Sequence, residues 1–147
     1  MFSTKAEYGV RVMAHLASCE GGSPVPLGAI AEAEGLLLAY LEHLVQRLRR
    51  ADLVESRRGS HGGYSLARPA EEITMAEVVG ALEGQIAPID CISPRADGTL
   101  VCARETESDH VCPTKLLWTR VQGSIVRTLT ELTLYDLIRT SKSKVAA

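Results

Sequence analysis

Aromatic side chains are scarce in this 147-residue chain, which has one Phe, one Trp and four Tyr, so aliphatic residues must fill its core. It has no apolar run long enough to cross a bilayer, and its N-terminus, MFSTKAEYGVRVM, carries charges where a secretory signal would be apolar. Both absences predict a cytoplasmic protein with no membrane partner. Thiols stay reduced in that compartment, so four Cys point toward metal or redox chemistry and away from a disulfide framework. Also missing are a Ser-His-Asp arrangement, a phosphate-binding glycine loop and a paired-carboxylate pocket, and a nucleophilic Cys would lack an evident partner base. An enzyme is therefore not expected.

A large net charge is missing too, the formal value being −2, but its distribution is informative. Residues 1–39 carry −2, 40–68 carry +3, 69–112 carry −7 and 113–147 carry +4. The second block holds six Arg against three acidic residues, the footprint expected of a surface that meets a phosphate backbone.

Around that block the pattern predicts a mostly α fold with a small β-hairpin wing. A first helix is expected from about Thr4 to Cys19, opened by a Thr4–Glu7 capping box and carrying Tyr8, Val12, Met13 and Leu16 at helical spacing. Two shorter helices, about Leu27–Ala33 and Tyr40–Ala51, are separated by a turn at Gly35, the signature of a helix-turn-helix whose second helix reads DNA. In that second helix Leu41, Leu44, Val45 and Leu48 form the buried stripe, and Glu42, His43, Gln46, Arg47, Arg49 and Arg50 face outward. Glu42 suits a cytosine amino group. Residues 53–67 read as two strands around a glycine-rich turn at Gly59–Gly63, with Arg57 and Arg58 at its base and Ser60 and His61 at its tip. A hairpin there is a wing, and Arg57 or Arg58 is suited to the minor groove. A fourth helix is expected at about Met75–Leu82.

Cys91, Cys102 and Cys112 lie in one acidic segment, residues 84–112, with spacing C-x10-C-x9-C. No helical or strand period is visible there, so it reads as a loop, yet 29 residues is too long for a plain connector and something should organise it. Soft thiolates suit an iron–sulfur cluster, or zinc if His110 completes a tetrahedral set. Three thiolates leave one position open, for which Glu7, His110 and Asp109 are candidates; for Glu7 a capping role competes. Cys19 reads as a core or half-buried thiol and His15 as a surface or packing residue.

From Pro113, placed in the first turn, to about Thr130 a long amphipathic helix is expected, with a stripe of Leu117, Val121, Ile125, Leu129 and Leu132 helped by Leu116, Trp118 and Val126. Such a helix at the end of a small winged domain suits pairing with a second copy through residues 113–132. Trp118 fits either dimer core or a shield over a cluster. A short helix, Leu134–Arg139, and a polar tail follow. The expected organisation is a DNA-binding domain at 1–83, a cysteine-bearing segment at 84–112, dimerisation and short helices at 113–140, and the tail at 141–147.

Four stretches carry a family resemblance: Ser3–Tyr8 (STKAEY), Tyr40–Arg49 (YLEHLVQRLR), Arg58–Leu66 (RGSHGGYSL) and Cys112–Trp118 (CPTKLLW), with Thr133–Leu137 (TLYDL) near the end. Together they cover nearly the whole chain, which resembles the Rrf2 family of winged-helix regulators and, within it, the IscR-like iron–sulfur type. The resemblance implies a homodimer crossing through the C-terminal helix, bound to a double-stranded DNA operator. It implies that Glu42 and His43 face bases, that Tyr40 and Gln46 lie near the DNA, and that Arg58 enters the minor groove from the wing turn with Gly59. Cys91, Cys102 and Cys112 match the family's cluster cysteines, with 2Fe–2S preferred over 4Fe–4S. Sensing of iron–sulfur, redox or nitric-oxide status and repression of iron–sulfur assembly genes are implied. Two departures stand out. The cysteine spacing is longer than in the best-known members, and the IscR-type histidine ligand three residues after the last Cys is here Lys115. In some relatives the ligand is an acidic residue of the partner subunit's first helix, a position held here by Glu7. The alternatives are a zinc-stabilised DNA-binding module and a thiol switch without a cluster.

Overall fold

A computed structural model describes residues 2–97, 99–107 and 111–145, with the backbone alone at 20, 106, 107 and 141–145. The chain is mostly helical. Helices α1 (Thr4–Ser18), α2 (Leu27–Glu34) and α3 (Leu38–Arg50) lead into an antiparallel hairpin of β1 (Val54–Arg57) and β2 (Gly63–Leu66), then α4 (Met75–Glu83). Apolar residues at helical spacing bring these elements together: Val12, Met13 and Leu16 of α1, Ile30 of α2, Leu41, Leu44, Val45 and Leu48 of α3, and Val78 and Leu82 of α4 share one core. Local signals set the ends. Gly35 takes the left-handed conformation that closes α2, and Thr74 and Glu77 exchange hydrogen bonds in a capping box that opens α4. Backbone bonds from Thr74 hold the Glu77 carboxyl below its ordinary value.

Helices α1 and α4 pack closely. A Cβ built on Gly9 would lie 2.0 Å from Cδ1 of Leu82, so any larger residue there would force the leucine to move. Ser3 caps α1, accepting from the Lys5 amide, and its own amide and hydroxyl donate to the Glu83 carboxylate at the far end of α4. The expected Thr4–Glu7 capping box is thus corrected. The cap falls one residue earlier, and the carboxylate that reaches back comes from a distant helix.

Residues 84–112 are not a plain loop. Strands β3 (Ile92–Pro94) and β4 (Leu100–Cys102) pair antiparallel, with Ile92 opposite Cys102, and a short helix α5 (Ala103–Glu107) follows. Three-residue strands, one ending in Pro, are too short to show a period in the sequence. Ile92 and Cys102 are both buried.

Helix α6 (Lys115–Glu131) starts two residues later than expected, so Pro113 lies just outside it, before the Thr114 cap. Its one buried residue is polar: the Gln122 amide donates to Ile86 O at 2.8 Å. The predicted stripe is only partly covered. Leu129 packs against the core, whereas Leu116, Leu117, Val126 and Leu132 are exposed. Helix α7 (Leu134–Val145) is longer than the Leu134–Arg139 expected, and its backbone runs through most of the supposed polar tail. Thr133 and Asp136 open it reciprocally, and Leu134 and Ile138 are buried. No helix among the described residues is long and apolar enough to cross a membrane.

The Ser3–Glu83 tie is pH-sensitive. Burial pushes the Glu83 carboxyl up, but the Ser3 hydrogen bonds outweigh it and the net shift is downward. Its contribution to stability is therefore complete at neutral pH and is lost as the pH falls past the ordinary glutamate range and through the lowered folded-state value. Glu83→Gln should lower the urea midpoint at pH 7 and narrow the gap from wild type near pH 3. A gap that stays constant with pH would show that the carboxylate is not the stabilising species.

Candidate nucleic-acid interface and cysteine corner

Helix α3 buries Leu41, Leu44, Val45 and Leu48 and turns Glu42, His43, Gln46, Arg49 and Arg50 outward, as the periodicity requires. Tyr40 is half-buried, with its ring edge-on to Tyr8 at 5.9 Å, so it braces the helix start from the side. Arg47 is engaged inward as well: its guanidinium donates to Leu82 O at 3.2 Å, satisfying a carbonyl at the α4 C-terminus. Arg49 donates to the Ser56 hydroxyl at 3.3 Å and ties the helix to β1.

In the wing, Arg57 pairs with Gly63 at the end of the ladder, and Arg57, Arg58, Gly59, Ser60 and His61 are all exposed. Two glycines hold the turn by space alone. A Cβ on Gly62 would lie 2.3 Å from Arg57 O, and one on Gly63 would lie 2.3 Å from the Val25 carbonyl carbon. Gly63 also has φ of 151°, within the range where side chains are strained. The tight approach serves a third contact: Val25 and Tyr64 exchange both backbone hydrogen bonds at 2.8 Å, so the wing is anchored to the segment before α2. Nothing in the apolar pattern announces that bridge. The glycine pair is its only trace in the sequence.

The β3–β4 hairpin brings the backbones of two cysteines together. The Ala103 amide donates to Cys91 O at 2.8 Å, placing the Cys91 backbone next to the end of β4, and Cys102 and Cys112 interact through their thiols. Cys102 is buried; Cys91 and Cys112 are partly exposed. The Thr114 hydroxyl, 3.3 Å from Cys112 Sγ, is the main influence holding that thiol below its ordinary value, with the Thr114 amide next and Cys102 a smaller one. Glu105 and Lys115 close the corner. One Glu105 oxygen accepts from the Cys112 amide at 3.0 Å and the other from the Lys115 ammonium. That hydrogen bond raises the lysine's value, as do the nearby Glu105, Cys102 and Cys112 charges, so Lys115 is a cation here and not a donor to metal. Sequence reasoning passed over Glu105 and Thr114; their offsets of three and two residues from Cys102 and Cys112 are the only signal.

The other described candidates stand elsewhere. Glu7 is exposed and lines a groove with Phe2, Val10, Val79 and Leu129. His110 and Asp109 lie outside the described residues. The Cys19 thiol donates to His15 O, and His15 pairs with Glu34 at 3.0 Å. Among the described residues no three Cys, His, Asp or Glu side chains converge as one metal ion requires. A cluster is different in kind: it is held at its corners, and three soft thiols on one hairpin and the start of the next helix are a donor set of that chemistry.

A family model described as an iron-dependent transcriptional regulator, Rrf2, matches residues 2–140. The protein rrf2 of Nitratidesulfovibrio vulgaris is 36% identical over 137 residues, covering 93% of this chain and 86% of its own. Among solved structures, CymR of B. subtilis, described as the global cysteine regulator, superposes with a TM-score of 0.74 at 34% identity over 95% of this chain and 97% of its own. IscR of T. potens superposes with a TM-score of 0.76 at 35% identity over 96% and 88%.

The two arginines should respond differently to removal. Arg58→Ala should weaken duplex binding and reduce the slope of log affinity against log salt by about one per protomer, whereas Arg47→Ala should mainly lower thermal stability. Equal salt slopes for wild type and Arg58→Ala would remove that residue from the phosphate-facing surface.

Proposed function

The chain belongs to the Rrf2 family of transcriptional regulators, and from that membership we propose a cytoplasmic, homodimeric regulator that senses iron–sulfur, redox or nitric-oxide status through a cysteine-held cluster. It is a DNA-binding transcription regulator, as its relatives are, and not an enzyme. In the proposed reading, α3 and the wing meet one half-site of an operator: Glu42, His43 and Gln46 face base edges, Arg49 and Arg57 the backbone, and Arg58 the minor groove with Gly59, Ser60 and His61 around it. Tyr40 and Arg47 hold α3 in place from behind.

The observation that carries the sensing role is the meeting of Cys102 and Cys112 just before α6, a helix whose apolar stripe its own protomer covers only in part. A second copy crossing at residues 113–132 would bury Leu116, Leu117 and Val126, each contributing on the order of 1–2 kcal/mol. Cys91, Cys102 and Cys112 would hold the cluster, and Glu7 of the partner subunit is the favoured fourth ligand, because the capping role that competed for it is filled by Glu83. When bound, the cluster supplies an oxidisable, nitric-oxide-reactive centre, 2Fe–2S being preferred over 4Fe–4S. Lys115 offsets the negative charge of the thiolates, and Glu105 fixes both Lys115 and the Cys112 amide. Likeness to IscR proteins supports repression of iron–sulfur assembly genes as the output.

A thiol switch without a cluster is the second reading, favoured by the contact between Cys102 and Cys112 and by the likeness to CymR. Metal content separates the two. Anaerobically purified protein should contain iron with matching sulfide and a visible spectrum, and Cys102→Ala should lose both while remaining a dimer by light scattering. Colourless, iron-free wild type that loses two titratable thiols on oxidation would replace the cluster with the switch, and full iron in the variant would overturn the ligand assignment.

A further inference from the structure

Leu37 is exposed at a place where the fold gives no reason for an apolar side chain. It is the N-cap residue of α3, 80% exposed, and makes no side-chain hydrogen bond to the first-turn amides. Ser, Thr, Asp and Asn are favoured there because their oxygen satisfies an amide otherwise left to water. The chain uses that device at Ser3 for α1 and at Thr74 for α4. At the reading helix it forgoes the cap and sets a leucine in solvent. Leu38 beside it is 46% exposed, and Ala39 is exposed as well. Ala39 stands three and four residues before Glu42 and His43, so these three share the outward face. The reading helix therefore has an apolar leading edge followed by a polar one.

The start of such a helix is the part that enters the major groove. Among the groups that base edges present there, the one that offers a bulky apolar surface is the C5-methyl of thymine. We propose that Leu37, with Ala39 next to it, is a specificity-determining residue that packs on thymine methyl groups, so that each half-site carries thymine beside the base pair met by Glu42. The assignment rests on α3 being the DNA-reading helix, and it converts an unexplained exposed side chain into a statement about the operator.

The test begins with full-length dimer and a randomised duplex library. The enriched sites should hold a fixed thymine next to the position that changes when Glu42 is replaced. Exchanging that thymine for deoxyuridine removes only the methyl and should weaken wild-type binding about fourfold per half-site. Leu37→Ser, which supplies a capping oxygen and so keeps α3 intact, should bind the thymine and deoxyuridine duplexes equally. Leu37→Met, which keeps an apolar side chain, should retain the preference. If wild type enriches a defined sequence yet ignores the methyl, or Leu37→Ser keeps the preference, the inference is wrong while the DNA-reading role of α3 stands. Enrichment of no sequence at all would overturn both.

Discussion

Leu82 fills the space that Gly9 leaves by having no side chain, and around that contact the last residues of α4 become a joint for the molecule. Glu83 caps α1 through Ser3, and Leu82 O accepts the Arg47 guanidinium of the reading helix. Directly after Glu83 the chain enters the cysteine-bearing segment, and Ile86 O receives the only buried side chain of α6, Gln122. The opposite end of α4 is tied to the α6–α7 junction, where the Met75 amide donates to Leu132 O and the Leu134 amide to Ile73 O. One short helix thus touches α3, α6 and the start of the cysteine-bearing segment.

That arrangement gives the proposed regulation a physical route. A change at Cys102 and Cys112 acts on the start of α6, which is held through Gln122 to Ile86, just past α4, and at Leu132 to α4 itself. Helix α4 in turn holds α3 through Arg47. Packed helices shift as bodies, so a displacement at the cysteine corner reaches the reading head as a change in its position relative to a second copy. Coupling of this kind requires that the two states of the corner favour different DNA-binding geometries; contact alone would not produce it.

The sequence was most legible where one periodicity decided the outcome. Leu41, Leu44, Val45 and Leu48 announced the reading helix, and Gly35 and the Gly62–Gly63 pair announced the turns around it. It was least legible where distant parts supply the partner. Glu83 replaces Glu7 in capping α1 from eighty residues away, and local pattern cannot show that. The cysteine hairpin escaped because three-residue strands have no period, although Ile92 and Leu100-Val101 are β-prone. Arg47 is exposed like its outward neighbours, but its hydrogen bond to Leu82 O could not be read from the pattern, because a long side chain can turn back onto a neighbouring helix end. The segment's need for internal structure was readable from its length, whereas the Glu105–Lys115 pair beside Cys112 became visible only with the fold.

Coupling between the cysteine corner and the reading heads is the central claim, and it is tested most directly by one titration. Full-length protein, loaded with iron and sulfide under anaerobic conditions and then stripped by a chelator with thiols kept reduced, would be titrated against the same library-selected duplex at one salt concentration. The account predicts affinities that differ between the two forms by roughly 5- to 150-fold. Equal affinities, with both forms dimeric and folded, would contradict it and leave the corner without influence on DNA binding.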